Sequence, residues 1–224
     1  MSLAHPLLKQ ISQSPRAYVA DSFISASEIA EILARYAEER VAQDLDIEWG
    51  RGVAGTSSEL PVAYDPLLGQ LASRIEAAFG FANRLPGATF RFRRYAHGDF
   101  HPAHVDCYEI AGHHLVATAL LYLNDARDGG ETVFPDASTG RLAIASRKGR
   151  LALWFNYTAD GAIDPRSLHR SEELRGSEKV TLAYFVYAPL ACAAIEPSAA
   201  SALEPVYPLA YSASNTETVC ASSL

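Results

Sequence analysis

A change in hydrophobic period after Pro86 is the feature that most constrains this chain. From there to residue 187, apolar and polar residues alternate in short runs that Gly, Asp, Asn and Pro interrupt at close intervals. Alternation with a period of two is typical of half-buried β-strands. The candidate strands are 88–96, 100–107, 115–123, 131–134, 141–145, 150–156, 167–171 and 179–187. Many short strands of this kind predict an antiparallel sandwich or barrel, and a jelly roll accommodates their number.

The chain before Pro86 predicts two helices. A strand-like opening at 16–24 is followed by apolar residues at helical spacing, with Ser25 or Ser27 as the N-terminal cap. A second helix is expected at 65–79, where Asp65 and Pro66 provide a cap and a first-turn proline. The glycine-rich stretch 44–64 predicts loops and at most one short strand. The expected class is mainly β with N-terminal helices (α+β).

The last part of the chain, 188–224, is an extension rich in Ala, Ser and Pro. It carries almost no charge and predicts an extended tail that either lies on the body of the protein or stays mobile. Tyr207 and Tyr211 favour packing. We therefore expect one domain over 1–187, followed by this extension.

Composition argues against several classes of partner. The formal net charge is −7 and Lys and Arg form no run, which disfavours nucleic acid. No apolar run reaches the roughly 18 residues of a membrane span, and the N-terminus lacks a signal-peptide pattern. The three cysteines, Cys107, Cys192 and Cys220, are too scattered for a disulfide framework. These observations predict a cytoplasmic protein with neither a nucleic-acid nor a membrane partner.

The candidate chemistry starts at His104 and Asp106, which lie two residues apart in a predicted strand. Successive strand side chains point to opposite faces, so this imidazole and this carboxylate should share a face. They are two thirds of the 2-His-1-carboxylate triad that holds non-haem Fe(II). His169, in a later predicted strand, is the candidate third ligand, because a jelly roll brings distant strands together.

Lys179 opens the otherwise apolar last strand, ten residues after His169. It either starts the strand at a solvated edge or points inward towards an anion. A buried ammonium needs a partner, because its desolvation is costly. A dicarboxylic acid bound to the metal would be such a partner, and the spacing from His169 favours this interpretation.

An ordered set of motifs resembles the prolyl 4-hydroxylase branch of the Fe(II)/2-oxoglutarate dioxygenases. The set comprises His104-x-Asp106, Tyr122-Leu-Asn, Gly129-Gly-Glu-Thr-Val-Phe-Pro135, Lys148-Gly-Arg-Leu-Ala-Leu-Trp154-Phe-Asn, Ser167-Leu-His169 and Lys179. The resemblance covers about residues 16–187 and is most specific over 88–187. It implies a double-stranded β-helix, that is, a jelly roll, as the core of a dioxygenase domain over 1–187.

The resemblance also implies the site. Iron would bind His104, Asp106 and His169, and 2-oxoglutarate would chelate it through the 1-carboxylate and 2-oxo group. Lys179 would bind the far carboxylate. Two tyrosines and one threonine complete the implied co-substrate residues: Tyr122 at the same carboxylate, Tyr95 near the metal-bound end, and Thr181.

The implied reaction consumes O2, releases succinate and CO2, and hydroxylates an unactivated C–H, with ascorbate as a reductant. Halogenating relatives replace the carboxylate ligand with a small residue, so Asp106 favours hydroxylation. Lys179 and the acidic balance disfavour the branch that demethylates nucleic-acid bases. The expected substrate is a peptidyl proline or another amino-acid side chain. The alternatives are the same chemistry on a small-molecule natural product and a non-catalytic jelly-roll module for binding or sensing. The oligomeric state stays open.

The sequence departs from the family on the substrate side. His101, Leu115 and Phe185 stand where peptidyl-proline hydroxylases commonly carry tyrosine, arginine and tryptophan. Since the metal ligands are intact, these changes predict retained iron chemistry with an altered substrate.

Several residues near the site carry two interpretations each. His101 either contacts substrate or a metal-bound water, or is only hydrogen-bonded beside the metal. Arg91 and Arg93 share a strand face with Tyr95 and either bind a substrate carboxylate or are ordinary edge-strand charges. Trp154 is expected in the core. Three other histidines are expected in loops: His97, His113 and His114.

Overall fold

The structure is a computed structural model that describes residues 8–36, 43–46, 51–191 and 218–219, with side chains over 8–36 and 58–191. These residues form two α-helices, α1 (Ala26–Arg35) and α2 (Pro66–Phe79). The strands are β1 (Lys9–Gln13), β2 (Arg16–Ala20), β3 (Gln43–Asp46), β4 (Arg51–Pro61), β5 (Thr89–Ala96), β6 (His101–His104), β7 (Tyr108–Ile110), β8 (His113–Tyr122), β9 (Thr132–Phe134), β10 (Leu142–Ile144), β11 (Leu151–Phe155), β12 (His169–Ser171), β13 (Glu178–Ala188) and β14 (Thr218–Val219).

The strands form two antiparallel sheets. The larger has the order β1-β2-β11-β8-β13-β5-β4-β3, with β7 paired to β8 and β14 paired to β7. The smaller has the order β10-β9-β12-β6. Neighbouring strands are far apart in sequence, as β11 next to β2 and β12 next to β6 show. This arrangement is the predicted jelly roll.

The two predicted helices form where the sequence placed them. Ser25, rather than Ser27, caps α1, and its side chain and that of Glu28 form a reciprocal capping box. Asp65 caps α2 by accepting from the backbone N–H of Leu67, and Gly80 ends the helix with φ of 81°.

The expectation of loops over 44–64 was wrong. The eleven-residue strand β4 occupies most of this stretch and pairs with β5 from Thr56 opposite Arg94 to Pro61 opposite Thr89. Glycine weakens a strand intrinsically, but pairing with a central strand decides the outcome here. β1 and β7 were also missed.

Two local assignments around the site also differ from the prediction. The strand expected over 100–107 ends at His104, and the next residues turn, with the Cys107 N–H donating to the Val105 carbonyl at 3.0 Å. His113 and His114 begin β8 instead of lying in a loop. A further group of predictions falls outside the described residues: the packing of Tyr207 and Tyr211 and the free thiols of Cys192 and Cys220.

The two faces of the larger sheet pack against different partners. Side chains such as Leu121 and Leu153 join the core that contains the apolar faces of α1 and α2. Alternate residues on the same strands, including Tyr122 and Trp154, join a second core with Phe134 of the smaller sheet. Trp154 is buried, as expected. The helices thus cover one face, and the space between the sheets is left to the site. Among the described residues, no helix is long and apolar enough to span a membrane.

Candidate metal and co-substrate site

The three predicted metal ligands converge between the sheets. His169, the first residue of β12, lies directly opposite His104, the last residue of β6. Asp106 follows in the turn after β6. One ligand atom from each residue lies within 4.8 Å of the others. Strand alternation was therefore the wrong reason for bringing His104 and Asp106 together, since the turn directs Asp106.

Backbone carbonyls orient both imidazoles. Nδ1 of His104 lies 2.9 Å from the Pro102 carbonyl, and Nδ1 of His169 lies 2.9 Å from the Ser167 carbonyl. Each contact assigns the ring proton to Nδ1 and leaves Nε2 as the metal donor. The two Nε2 atoms lie 3.4 and 3.8 Å from the carboxylate oxygens of Asp106.

A buried hydrogen-bond chain holds the carboxylate of Asp106. The Thr118 hydroxyl donates to Asp106 Oδ2 at 2.7 Å. The Asn156 amide donates to Thr118 Oγ1 at 3.3 Å and to the Leu115 carbonyl at 3.1 Å. Asp106, Thr118 and Asn156 are all buried. The carboxylate is thus oriented by one residue of β8 and by the residue that follows β11, although Asp106 lies on neither strand.

The electrostatics keep Asp106 and His169 in their metal-binding protonation states. Burial alone would raise the pKa of Asp106, but the imidazoles of His169 and His104 and the Thr118 hydroxyl lower it well below its usual range. Burial, aided by His104, lowers the pKa of His169 to about 4, against the opposing effect of Asp106. A carboxylate and neutral imidazoles are the forms that coordinate a metal.

Aromatic rings wall the metal side of the site. The ring centroid of His169 lies 4.9 Å from that of Trp154 and 5.4 Å from that of Phe134. Both aromatic residues are buried. This wall limits water access and fixes the plane of the imidazole. Two imidazoles and one carboxylate in this setting fit the facial donor set that holds Fe(II) with positions open for other ligands.

Lys179 points inward and is buried, with 1% of its surface exposed. Its Nζ donates to Ser171 Oγ at 2.7 Å and lies 4.6 Å from the centroid of the Tyr95 ring. Burial lowers the pKa of Lys179 to about 7; Arg93 lowers it further and Glu131 opposes the shift. The alternative of a solvated lysine at the strand start is wrong. Its partner Ser171 lies on the same smaller-sheet strand as His169, two residues along, so the ammonium contacts the strand that carries a metal ligand.

The Tyr122 hydroxyl donates to Thr132 Oγ1 at 2.8 Å and so joins the two sheets beside Lys179. Burial raises the pKa of Tyr122 well above its usual range, so its hydroxyl stays protonated and can donate. Thr181 is buried on β13, opposite Tyr122 on one side and Arg93 on the other. The predicted co-substrate residues therefore form one continuous surface.

Gly130 leaves the space that the stem of Lys179 occupies. A Cβ at this position would lie 3.2 Å from Lys179 Cδ, and φ is 75°, a conformation that favours glycine. At Gly129, where φ is 87°, a Cβ would lie 2.1 Å from the Glu173 carbonyl oxygen. The Gly-Gly pair is thus required where this loop crosses the segment after β12.

The predicted substrate-side residues take different positions. The ring centroid of His101 lies 4.1 Å from that of His104, and its Nδ1 lies 3.1 Å from the Pro102 carbonyl. Arg93 is 8% exposed, with Nη1 3.5 Å from the Tyr95 hydroxyl. Arg91 pairs with Glu59 at 3.1 Å near the surface. Because β5 lies between β13 and β4, edge-strand charges do not explain these arginines.

Three further histidines of the described residues make contacts outside the ligand cluster. Nδ1 of His97 lies 2.9 Å from the Arg175 carbonyl, and Nδ1 of His113 lies 3.1 Å from the Ala111 carbonyl. Nδ1 of His114 lies 3.9 Å from the Glu109 carboxylate.

Sequence reasoning missed four polar residues of the site: Ser171, Thr132, Thr118 and Asn156. Strand alternation could have found the first, because Ser171 lies two residues after His169 and shares its strand face. Thr132 and Asn156 lie within two of the motifs that carry the family resemblance, 129–135 and 148–156, but the resemblance implies no role for either residue. Thr118 and Asn156 act through contacts between strands distant in sequence, which no local pattern predicts.

Comparison with known proteins agrees with this geometry. A sequence profile described as the 2OG-Fe(II) oxygenase superfamily matches residues 90–187. Prolyl 4-hydroxylase 1 of Arabidopsis thaliana is 30% identical over 192 residues, covering 75% of this chain and 68% of the relative. Probable prolyl 4-hydroxylase 4 of the same plant is 31% identical over 191 residues, covering 72% of this chain and 64% of its own length.

Solved structures show the same fold. The viral collagen prolyl hydroxylase of Paramecium Bursaria Chlorella virus-1, in its 2OG complex, superposes with a TM-score of 0.55 at 17% identity, covering 77% of this chain and 95% of the viral one. HygX of Streptomyces hygroscopicus, with nickel and 2-oxoglutarate bound, gives 0.54 at 13% identity, covering 79% and 83%. Together with the 30% identity to a plant enzyme over most of both chains, these matches show that the chain belongs to the prolyl 4-hydroxylase branch of the Fe(II)/2-oxoglutarate-dependent dioxygenases.

Proposed function

We propose that this protein is an Fe(II)- and 2-oxoglutarate-dependent hydroxylase that acts on a peptidyl proline or another amino-acid side chain. The observation that carries the proposal is the placement of Lys179 in the same cleft as the His104, Asp106 and His169 cluster. A metal site alone suits many functions, whereas a metal site with a buried ammonium suits a chelating dicarboxylate. The chain spans 64% of the length of the first Arabidopsis relatives, so their activity is proposed, not transferred, for this protein.

The residues of the site divide the work. His104, Asp106 and His169 would hold Fe(II) through three donors on one face, which leaves positions for a bidentate oxo-acid and O2. Lys179 and the Tyr122 hydroxyl would fix the far carboxylate of 2-oxoglutarate and so its orientation. The metal supplies the coupling of oxidative decarboxylation to oxygen transfer. The balanced reaction is substrate C–H plus 2-oxoglutarate plus O2 to substrate C–OH plus succinate plus CO2.

The rings around His169 have a protective role in this scheme. Phe134 and Trp154 pack against the ring of His169 and would exclude water from that side of a bound metal, which would favour oxidation of substrate over side reactions with solvent. Thr118 and Asn156 hold the Asp106 carboxylate in the orientation in which it would bind the metal.

Mass spectrometry tests the proposed activity. The protein is incubated with Fe(II), 2-oxoglutarate and O2 and offered proline-containing peptides or a cell-extract metabolite fraction. We expect the gain of one oxygen atom on a substrate, with one succinate formed per hydroxylation. Oxygen incorporation into metabolites alone would assign the same chemistry to a small-molecule natural product.

Anaerobic titration separates an enzyme from a binding module. Addition of 2-oxoglutarate to the Fe(II)-loaded protein should produce the weak visible charge-transfer band of the chelate. Neither a band nor succinate would favour a non-catalytic jelly-roll module. We further propose that ascorbate maintains the iron in its reduced state and that the protein is cytoplasmic. Omission of ascorbate should shorten the linear phase of turnover.

A further inference from the structure

The indole N–H of Trp154 is a buried hydrogen-bond donor for which the described part of the fold provides no acceptor. Trp154 is 2% exposed, and its Nε1 atom has no hydrogen-bond partner among the residues whose side chains are described. Buried tryptophan N–H groups usually find a partner, because an unpaired donor loses its hydrogen bonds to water without replacement. The position of this donor therefore requires a physical explanation.

The neighbours of Trp154 include one metal ligand and the residue that orients another. The centroid of the indole lies 4.9 Å from that of the His169 ring, with the two planes inclined at 64°. On the larger sheet, Trp154 of β11 lies directly opposite Thr118 of β8, whose hydroxyl donates to Asp106. The indole therefore lies beside the metal cluster.

The polar groups around the indole are already engaged, with one exception. Nδ1 of His169 lies 2.9 Å from the Ser167 carbonyl, and the Thr118 hydroxyl donates to Asp106 and accepts from Asn156. The exception is Asn156 Oδ1, which is buried and unpaired among the described residues but does not bond to the indole. The other buried side chains of this core are aliphatic or aromatic: Ala17, Tyr122, Phe134, Ala137, Ile144 and Ala152. We therefore look to a bound molecule for the acceptor.

A chelating oxo-acid would bring carboxylate oxygens to the level of Trp154 in the cleft. Its far end would lie at Lys179, beside Tyr122, whereas Trp154 lies opposite Thr118, four residues along β8 from Tyr122. Because Thr118 supports a metal ligand, the indole lies at the metal end of the cleft and not at the anchor. The three protein ligands leave positions for a bidentate oxo-acid at that end.

An indole N–H suits this position. It is a donor only, so no lone pair of its own faces a bound anion. Hydrogen bonds to carboxylates are roughly twice as strong as those between neutral groups. The ring is fixed by His169 and by Phe134, whose centroid lies 5.4 Å away, so the donor is held in place before a ligand binds.

We propose that the Trp154 indole N–H donates to the metal-bound carboxylate of 2-oxoglutarate and so positions that end of the co-substrate. This role rests on the proposed function and deepens it, because Lys179 would hold the far carboxylate while Trp154 orients the near one. The ring that packs against His169 then also selects the orientation in which 2-oxoglutarate binds the metal.

Nuclear magnetic resonance of the indole tests this role without turnover. The chain has two tryptophans, so the Trp49→Phe variant, isotopically labelled at the indole nitrogen, gives one signal, that of Trp154. Spectra are recorded for the free protein, with Zn(II), which is diamagnetic, and with Zn(II) and 2-oxoglutarate. We expect the indole proton to move downfield, and to exchange with solvent more slowly, only when 2-oxoglutarate is added to the Zn(II)-loaded protein.

Three other results would each overturn the assignment. An unchanged or upfield signal would mean that the N–H faces an aromatic ring. A downfield signal already present in the free protein would mean that a water molecule bridges the indole to Asn156 Oδ1. A full shift with Zn(II) alone would mean that water on the metal is the acceptor.

Calorimetry with an isostere separates the hydrogen bond from packing. Benzothienylalanine in place of Trp154, introduced in the Trp49→Phe background, keeps the shape of the ring system but has sulfur instead of N–H. We expect the Mn(II)-loaded protein to bind 2-oxoglutarate about tenfold or more weakly with this isostere and with Trp154→Phe, while the affinity for Mn(II) is retained. Unchanged 2-oxoglutarate affinity in the isostere would assign Trp154 to packing alone. An equal loss of Mn(II) affinity would assign it to the support of His169, and either result overturns the hydrogen bond.

The Fe(II)/2-oxoglutarate charge-transfer band separates this role from the proposed function. A normal band together with an unshifted indole signal would remove the hydrogen bond from Trp154 and leave the hydroxylase intact. Absence of the band in the unsubstituted protein would remove the proposed function itself.

Discussion

The two ends of the site hold their charges in opposite ways. At the metal end, the Asp106 carboxylate accepts a hydrogen bond from the Thr118 hydroxyl and its pKa lies well below the usual range, so its anionic form is stabilised before any ion binds. At the anchor end, the Lys179 ammonium has a neutral hydroxyl as its hydrogen-bond partner and a guanidinium nearby, so its cationic form is destabilised. The Asp106 carboxylate is thus already in the form that binds a metal. The Lys179 ammonium is destabilised by burial, and a bound anion would offset this destabilisation.

This difference assigns different roles to the two ends. A prearranged donor set gives affinity and selectivity for a metal, because little reorganisation accompanies binding. A destabilised buried cation gives selectivity for an anion. Only an anion long enough to extend from the metal to Lys179 offsets the desolvation of the ammonium. The pair of ends therefore selects a molecule that both chelates and carries a distant carboxylate.

Removal of a metal ligand should have the largest effect. His104→Ala or Asp106→Ala takes one of three donors from a site whose remaining donors cannot move closer, because carbonyl contacts fix the imidazoles. We expect O2-dependent succinate formation to fall to the level of the metal-free protein. His97→Ala is the control, since His97 contacts the Arg175 carbonyl outside the site. Full turnover in either ligand variant would disprove the triad.

Loss of the anchor should come next. Lys179→Ala leaves the far carboxylate of 2-oxoglutarate buried without its cation, a change worth about two orders of magnitude or more in affinity. The concentration of 2-oxoglutarate needed for half-maximal succinate formation measures the effect, and the exposed Lys148→Ala is the control. An unchanged requirement would mean that the two ends do not share one ligand.

Loss of the hydrogen bond from Thr118 to Asp106 should have a smaller effect, and this effect should be confined to metal binding. Thr118→Val keeps the shape of the side chain but removes the donor to Asp106, so metal affinity should fall about 10- to 100-fold. Mn(II) binding followed by electron paramagnetic resonance measures this change without turnover. Thr118→Ser should restore most of the affinity. Equal affinities for valine and serine variants would assign Thr118 to packing.

The smallest effect is a pH dependence confined to the anchor end. Burial lowers the pKa of Lys179 from its ordinary value of 10.5 to about 7 in the fold. In the absence of 2-oxoglutarate, the loss of folding stability caused by burying the ammonium therefore grows as pH falls from 10.5 and is complete below about 7. Arg93 from β5 and Glu131 from the segment before β9 are the charged groups that act on it.

Binding of the dianion favours the ammonium, so 2-oxoglutarate affinity should be constant below pH 7 and fall by up to about tenfold per unit above it. Titrations of the Mn(II)-loaded protein between pH 6.5 and 8.5 measure the slope. Lys179→Arg carries a permanent charge and should give a flat profile. A slope that persists in this variant would assign the dependence to another group.

The sequence predicted the site residues that belong to motifs with a fixed spacing. It did not predict the residues whose role depends on which strands become neighbours in the fold. His104, His169 and Lys179 follow from motif spacing, and the jelly roll from the period of two. Thr118 of β8 donates a hydrogen bond to Asp106 in the turn after β6, and no local sequence pattern predicts this contact between separate elements. The strand β4 was missed because its glycines weaken the local signal, while its pairing with β5 stabilises it.

His104 and His169 face each other across β6 and β12, so metal binding depends on the correct register of these two strands. A slip of one residue would turn His169 away from its partner and present Arg170, a cation, in its place. The ligand set and the correct alignment of the smaller sheet therefore exist together or not at all. Stoichiometric metal uptake consequently counts the molecules in a preparation whose two sheets are correctly assembled.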